Sequence, residues 1–199
     1  WGHPAYGGDS SAVADQLQKV EQIQAASEAF AAIRADRSVV AWGNPDSGGD
    51  SSSIQEHLQN VLAVQATKLA FAAMRTDGSV VAWGHPAYGG DSSAVANSTA
   101  VQHQLKNVQR LQATKWAFAA LRADGSLVAW GDPASGGDSS TVQHQLQTLQ
   151  VDSCEVEDQL QPLQEARAAH ESCAAMAADG SVATWGDQES AGDSFALEV

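Results

Sequence analysis

The chain is poor in cysteine and in positive charge, and it has no long apolar run. Only Cys154 and Cys173 occur among 199 residues, both in the last quarter. They could bridge if their backbones approach closely enough; otherwise Cys173, which stands where other copies of a repeat carry phenylalanine, is a buried free thiol. No Cys/His spacing matches a zinc site. No apolar stretch approaches the about 20 residues that cross a bilayer, and the N-terminus has neither the basic cap nor the apolar segment of a signal peptide. The chain therefore reads as soluble, with no direct membrane insertion and no indication of secretion. It starts at Trp1, inside a repeat and without methionine, as a processed product or a piece of something longer would. A cytoplasmic or an organellar setting, the plastid included, fits equally. Ten Lys and Arg against 24 Asp and Glu leave a net charge of −14. Such a surface repels phosphate backbones and anionic headgroups, which disfavours nucleic acid and favours a basic protein partner or surface. Solubility of a repeat array is the simpler use of the same charge.

The motifs of catalysis are missing too. There is no Gly-x-Ser-x-Gly elbow, and no glycine run leads into Lys-Ser or Lys-Thr. His57, His103 and His144 recur one per repeat in a Gln-rich segment, as on a solvated face, where catalysis needs a nucleophile, a base and an orienting group in one place. We nominate no catalytic residue, metal ligand or cofactor site, and expect no enzyme. Asn97-Ser98-Thr99 matches a glycosylation sequon and reads as an ordinary polar loop. The acidic insertion with Asp152, Glu155, Glu157 and Asp158 suits either a basic partner or plain solvation.

What the sequence has is repetition. WAFAALRADGSLVAWG at 116–131 returns as AFAAIRADRSVVAWG, AFAAMRTDGSVVAWG and SCAAMAADGSVATWG. Trp-Gly pairs at 1, 42, 83, 130 and 185 stand 41, 41, 47 and 55 residues apart, a period typical of solenoids and propellers. Cut at these pairs, the single repeat domain 1–199 divides into units 1–41, 42–82, 83–129 and 130–184, with a partial fifth, 185–199. The core of each unit predicts a hairpin: an Ala-rich strand with both faces covered, an Asp-Gly turn, and a β-branched and aromatic return strand. One long helix is the alternative, given the alanine content, but Asp-Gly punctuation in three of four copies argues against it. Arg37 replaces the turn glycine in the first copy and should strain or lengthen that turn. VEQIQAA, VLAVQAT and VQRLQAT predict a preceding strand, weakened to LQEARAA in the fourth unit. Trp42, Trp83, Trp130 and Trp185, with Phe30, Phe71 and Phe118, form the expected repeat core.

Between the hairpins lie WGHPAYGGDSS-type loops. Proline stops the preceding strand and Gly-Gly lets the backbone turn. Asp9, Asp50, Asp91, Asp138 and Asp193 fall at one repeated position and are the candidate interaction residues. A ring of carboxylates could take a cation or a basic partner, while an Asp before Ser-Ser is more often an Asx turn or a cap. After each loop we expect a helical turn or two with its Gln and His residues facing water; Ser52 with Gln55 and Ser140 with Gln143 match capping boxes. Arg34, Arg75 and Arg122 stand beside Asp36, Asp77 and Asp124 as candidate weak surface pairs.

A hydrophobic strand, an alanine strand, Asp-Gly, a β-branched pair and Trp-Gly together resemble the regulator of chromosome condensation repeat. The matching positions are Ala73, Asp77, Gly78, Val80, Trp83 and Gly84, and then Ala120, Asp124, Gly125, Leu127, Trp130 and Gly131. The family's His-Ser before the alanine strand is Ala-Phe here, its Gly-Gln-Leu-Gly loop is Gly-Gly-Asp-Ser, and the units are shorter. The resemblance implies a mainly β fold, a β-propeller-like array of three-stranded meanders joined by short helical or irregular segments. The family's ring usually has seven blades, so four units imply a compact four-bladed ring, an open arc with apolar ends suited to self-association, or completion by further repeats, a second copy or a partner. Trp1 beside the C-terminal WGDQESAGDS could fasten a closed ring. The implied function is a non-enzymatic binding or scaffolding subunit, peripheral to a larger complex. An exchange factor for a small GTPase and a substrate-binding fragment of a ubiquitin ligase are the alternatives.

Overall fold

The computed structural model describes residues 2–90, 104–139, 165–168, 172–176 and 182–187. Within them the chain forms four separate three-stranded antiparallel sheets, each a meander in sequence order. The first holds β1 (Val20–Ala25), β2 (Ala29–Arg34) and β3 (Val39–Gly43). The second holds β4 (Val61–Ala66), β5 (Ala70–Arg75) and β6 (Val80–Gly84). The third holds β7 (Val108–Ala113), β8 (Ala117–Arg122) and β9 (Leu127–Gly131). The fourth holds β10 (Glu165–Ala168), β11 (Ser172–Met176) and β12 (Val182–Gly186). Each sheet ends on a Trp-Gly pair, so units cut at those pairs are offset from the sheets by two residues.

The middle strand explains the alanines. Ala70, Phe71, Ala72 and Ala73 are all buried, because β5 is covered on both faces. Ala70 and Ala72 meet the third sheet, while Phe71 and Ala73 meet the first. Small side chains on one face let the next sheet approach, and the Phe–Trp pair of that next sheet fills the space. Phe71 stacks on Trp83, its cross-strand partner, with ring centroids 5.3 Å apart. Phe30–Trp42 and Phe118–Trp130 repeat this at 5.3 Å. First strands of successive sheets lie side by side, β1 by β4, β4 by β7 and β7 by β10.

The Asp-Gly turns form as expected, and the one without glycine keeps their length. Gly78 and Gly125 sit at φ +74° and +77°, and Arg37 sits at +61°. The cost of the substitution is backbone strain in the left-handed region, with no added residue. In all three turns the Asp Oδ1 accepts the amide of the Ser two residues on, at 2.9 to 3.0 Å. Its partner arginine reaches the other oxygen: Arg34–Asp36 at 3.2 Å, Arg75–Asp77 at 3.6 Å and Arg122–Asp124 at 3.1 Å. These carboxyls are held below their usual range, mainly by the Ser hydroxyl.

The helical turns expected after the loops are 3-10 turns where they are described, Ser11–Val13 in the first unit and Ser52–His57 in the second. Two details of the second need correction. The Ser52–Gln55 capping box does not form. The Ser52 amide is taken by Asp50, and Gln55 turns inward, donating Nε2 to the Val39 carbonyl at 2.9 Å and accepting Oε1 contact from the Ser51 hydroxyl at 3.3 Å. His57 is exposed, as expected. The Ser140–Gln143 pair, His103, His144, the sequon, the acidic insertion, Cys154, Trp1 and the C-terminal WGDQESAGDS beyond Asp187 lie outside the described residues.

Candidate functional site

The array has two ends of different character. At one end each β1–β2 type turn meets the start of the loop after the third strand: the amides of Asn44, His85 and Asp132 donate to the carbonyls of Glu28, Leu69 and Trp116 at 2.8 to 3.1 Å. These turns also join sheet to sheet, Ser27 N–H to Lys68 and Lys68 N–H to Lys115, both 2.8 Å. The loops therefore crowd one face. The Asp-Gly turns occupy the opposite face and are also linked across sheets, Val61 N–H to Arg37 at 2.9 Å and Val108 N–H to Gly78 at 2.8 Å.

Each loop is a small rigid device. Proline opens a 3-10 turn, and the residue before it caps that turn: His3 and His85 accept from Ala5 and Ala87 at Nδ1 (3.3 Å), Asn44 from Asp46 (3.0 Å) and Asp132 from Ala134 (3.4 Å). This accepting Nδ1 fixes the imidazole tautomer with the proton on Nε2. A left-handed glycine closes the turn, and its carbonyl accepts the indole N–H of the next sheet: Trp42 to Gly7 and Trp83 to Gly48 at 3.0 Å, Trp130 to Gly89 and Trp185 to Gly136 at 3.1 Å. Gly48 has φ +86°, and a Cβ there would stand 2.7 Å from the Phe71 ring. Backbone conformation and packing both require glycine.

The repeated aspartates come next. Asp9 Oδ1 accepts the Ser11 amide and Asp50 Oδ1 the Ser52 amide, each at 2.9 Å, so both carboxylates close Asx turns on their own loops. Those amide bonds hold both carboxyls below their usual range. Asp138 is exposed, and Asp91 and Asp193 lie outside the described residues. No group of three His, Cys, Asp or Glu side chains suited to a metal ion occurs among the described residues.

Of the repeat-core aromatics, Trp83, Trp130, Trp185, Phe71 and Phe118 are buried, and Phe30 and Trp42 are half-buried. Cys173 takes the phenylalanine position in the fourth sheet, is a free thiol 3% exposed, and has its pKa pushed up to about 12 by burial. It is chemically quiet as a nucleophile.

Two features on the loop face were not visible from sequence spacing. An open cleft of about 670 Å³ lies between the second and third loops, lined by Asp46, Asp50, Ile54, Trp83, His85 and Pro86 among others. Beyond His85 stands an aromatic platform. His85 meets Tyr88 edge-on at 5.2 Å, and Tyr88 stacks on Trp116 at 4.8 Å. Lys68 and Lys115 each bring Nζ to 5.3 Å from the Trp116 ring. The Thr67 hydroxyl fixes the loop by donating to the Tyr88 carbonyl at 3.0 Å. The one sequence signal for this loop end is that HPAY, NPDS and DPAS all place a side-chain acceptor before proline.

No protein-family model and no curated protein matches the chain. Solved structures do. Human WBSCR16 shares 18% identity over 84% of this chain and 47% of its own, with a TM-score of 0.56. Prp20p from Saccharomyces cerevisiae, described with its binding to Gsp1p and histones, gives 18% identity and 0.54 over 87% of this chain and 46% of its own. Yeast RCC1 (Prp20) bound to Kap60 gives 16% and 0.52 over 87% and 45%. The fold is therefore that of RCC1-type β-propeller repeats, each sheet being a blade. The chain spans about half the length of these structures.

Proposed function

We propose that this chain is a non-enzymatic protein-binding module, and that the loop face, with its cleft at Asp46, Asp50 and His85, receives a basic segment of the partner. The observation that carries this is the cleft itself: an open concavity of about 670 Å³ between two capped, rigid loops, with carboxylates at its edge and an aromatic platform beside it. Rigid loops lose little entropy on binding, and aromatic side chains with neighbouring polar groups are the usual anchors of protein contacts. Charge distribution supports the choice of face. At the loops Glu28, Asp46, Asp50 and Asp132 outnumber Lys68 and Lys115, whereas at the opposite turns Arg34, Arg75 and Arg122 are paired with Asp36, Asp77 and Asp124 and Arg37 stands beside them. The solved RCC1-type propellers are themselves described with protein partners, Kap60, Gsp1p and histones.

The test is binding of a lysine-rich peptide, followed by fluorescence anisotropy at two salt concentrations. Asp46→Lys should weaken binding about tenfold, and added salt should weaken it further. Arg75→Glu, on the opposite face, should leave it unchanged or slightly tighter. Equal loss in both variants, or no binding to the unaltered chain, would overturn the assignment of the face.

A further inference from the structure

The first blade repeats the sequence of its neighbours, but its backward face is uncovered. Ile23 is 56% exposed, while its equivalents Val64 and Leu111 are 0% and 5% exposed. Leu58 and Leu105 are buried where Leu17 is half-buried, Val61 and Val108 are buried where Val20 is half-buried, and the half-buried Phe30 and Trp42 correspond to buried Phe71 and Trp83. These side chains are the ones that, in the second blade, pack on Ala29, Ala31, Ile33 and Val39 of the blade before it. The first blade therefore carries a complete receiving face for a blade of its own type. At the other end Ala174 is half-buried, whereas the equivalent Ala31 and Ala72, each covered by a following blade, are fully buried. Receiving and inserting faces are both open.

We propose that the receiving face of the first blade is occupied by the inserting face of the fourth blade of a second copy, so that two chains close one ring head to tail. The junction would resemble the interface formed between blades one and two, with Ser172 and Ala174 of the fourth blade in the places of Ala29 and Ala31, set against Ile23, Phe30 and Trp42. An exposed apolar face of this kind seeks a partner, and the faces at hand that match it in shape and chemistry are those of the repeat itself. Two junctions related by a twofold axis satisfy both open ends at once, which avoids an unclosed series. The arc covers 47% of one RCC1-type propeller and 46% of another, and two four-bladed arcs would close a ring of eight blades, one more than is usual in that family. This proposal is independent of which face binds other proteins.

The experiment is native mass by light scattering on the 199-residue chain across a concentration series, with two variants. The unaltered chain should have the mass of two copies. Ile23→Glu should reduce it to one copy with unchanged circular dichroism, since Ile23 is exposed within a single chain, and its melting should lose the concentration dependence that association gives the unaltered chain. Ala174→Arg, at the other end, should do the same. Mixing the two variants should restore a two-copy species through the single intact junction. A single-copy mass for the unaltered chain, a two-copy mass that survives Ile23→Glu, a mixture that stays single-copy, or growth beyond two copies would each overturn the head-to-tail ring. Peptide binding at the loop face would be unaffected by any of these outcomes.

Discussion

The indole of Trp83 donates its N–H to the carbonyl of Gly48 at 3.0 Å across 35 residues of sequence, tying the second blade to the loop that leaves the first. Trp130 and Gly89, and Trp185 and Gly136, make the same bond at 3.1 Å. One side chain thus fills the space between blades and holds the loop that shapes the binding face. Trp83→Phe removes the donor while keeping most of the volume, and leaves the carbonyl without this partner. The expected cost is about 1–3 kcal/mol in urea unfolding. In the single-copy Ile23→Glu background, Trp42→Phe should cost less, because within one chain Trp42 is half-buried and water reaches its surroundings.

Gly48→Ala should destabilise by about 1–3 kcal/mol, since φ is +86° and the new Cβ would press on Phe71 at 2.7 Å. Because the glycine closes the Pro45–Ser47 turn that places Asp46 in the cleft wall, the variant should also weaken peptide binding at the loop face. A melt within error of the unaltered chain would contradict this packing.

Arg37→Gly should stabilise by about 1 kcal/mol. Arg37 holds φ +61° in a turn whose counterparts are Gly78 and Gly125, and the backbone contact it makes, its carbonyl to Val61 N–H, survives the change. Denaturant midpoints of the two proteins decide it.

How far the sequence could be read follows from the range of each interaction. The hairpins, their Asp-Gly turns, the Arg–Asp pairs and the Asx turns at Asp9 and Asp50 are local, set by residues within a few positions, and they were legible. The Trp83–Gly48 bond and the Tyr88–Trp116 stack join different blades, and nothing in a linear pattern marks which glycine or which tyrosine is reached. His85 as a cap was hidden because imidazole is an uncommon cap; only the alternation of His, Asn and Asp before proline pointed to it. Gln55 was misplaced on the water side because a polar side chain in a polar run gives no sign that it will find the Val39 carbonyl.

Burial pushes the Cys173 thiol up from 9.0 to about 12, so the folded state favours the neutral form. That contribution is complete below the unfolded value of 9.0 and is lost as pH rises from there toward about 12. Stability should therefore fall above pH 9 more steeply in the unaltered chain than in Cys173→Ala. A thiol reagent at pH 8 should modify Cys173 only after denaturant is added; rapid labelling of the native chain would contradict the burial.

For the Asx turns the sign is opposite. Asp50 is held below 3.8, chiefly by the Ser52 amide, so its contribution is present above that value and is lost as pH falls through the folded one. The effect is small, because the carboxylate is exposed to solvent. Asp50→Asn keeps the acceptor and removes the titration. It should match the unaltered chain at pH 7 and lose less stability below about pH 4, read from urea midpoints.

The most direct measurement is a heteronuclear NMR titration of the labelled chain with the lysine-rich peptide. The predicted result is a set of shifts gathered at Asp46, Asp50, Ile54, His85 and the indoles of Trp83 and Trp116, with the Asp-Gly turns at Asp36, Asp77 and Asp124 unmoved. Shifts centred on those turns, or none at saturating peptide, would contradict a basic partner on the loop face.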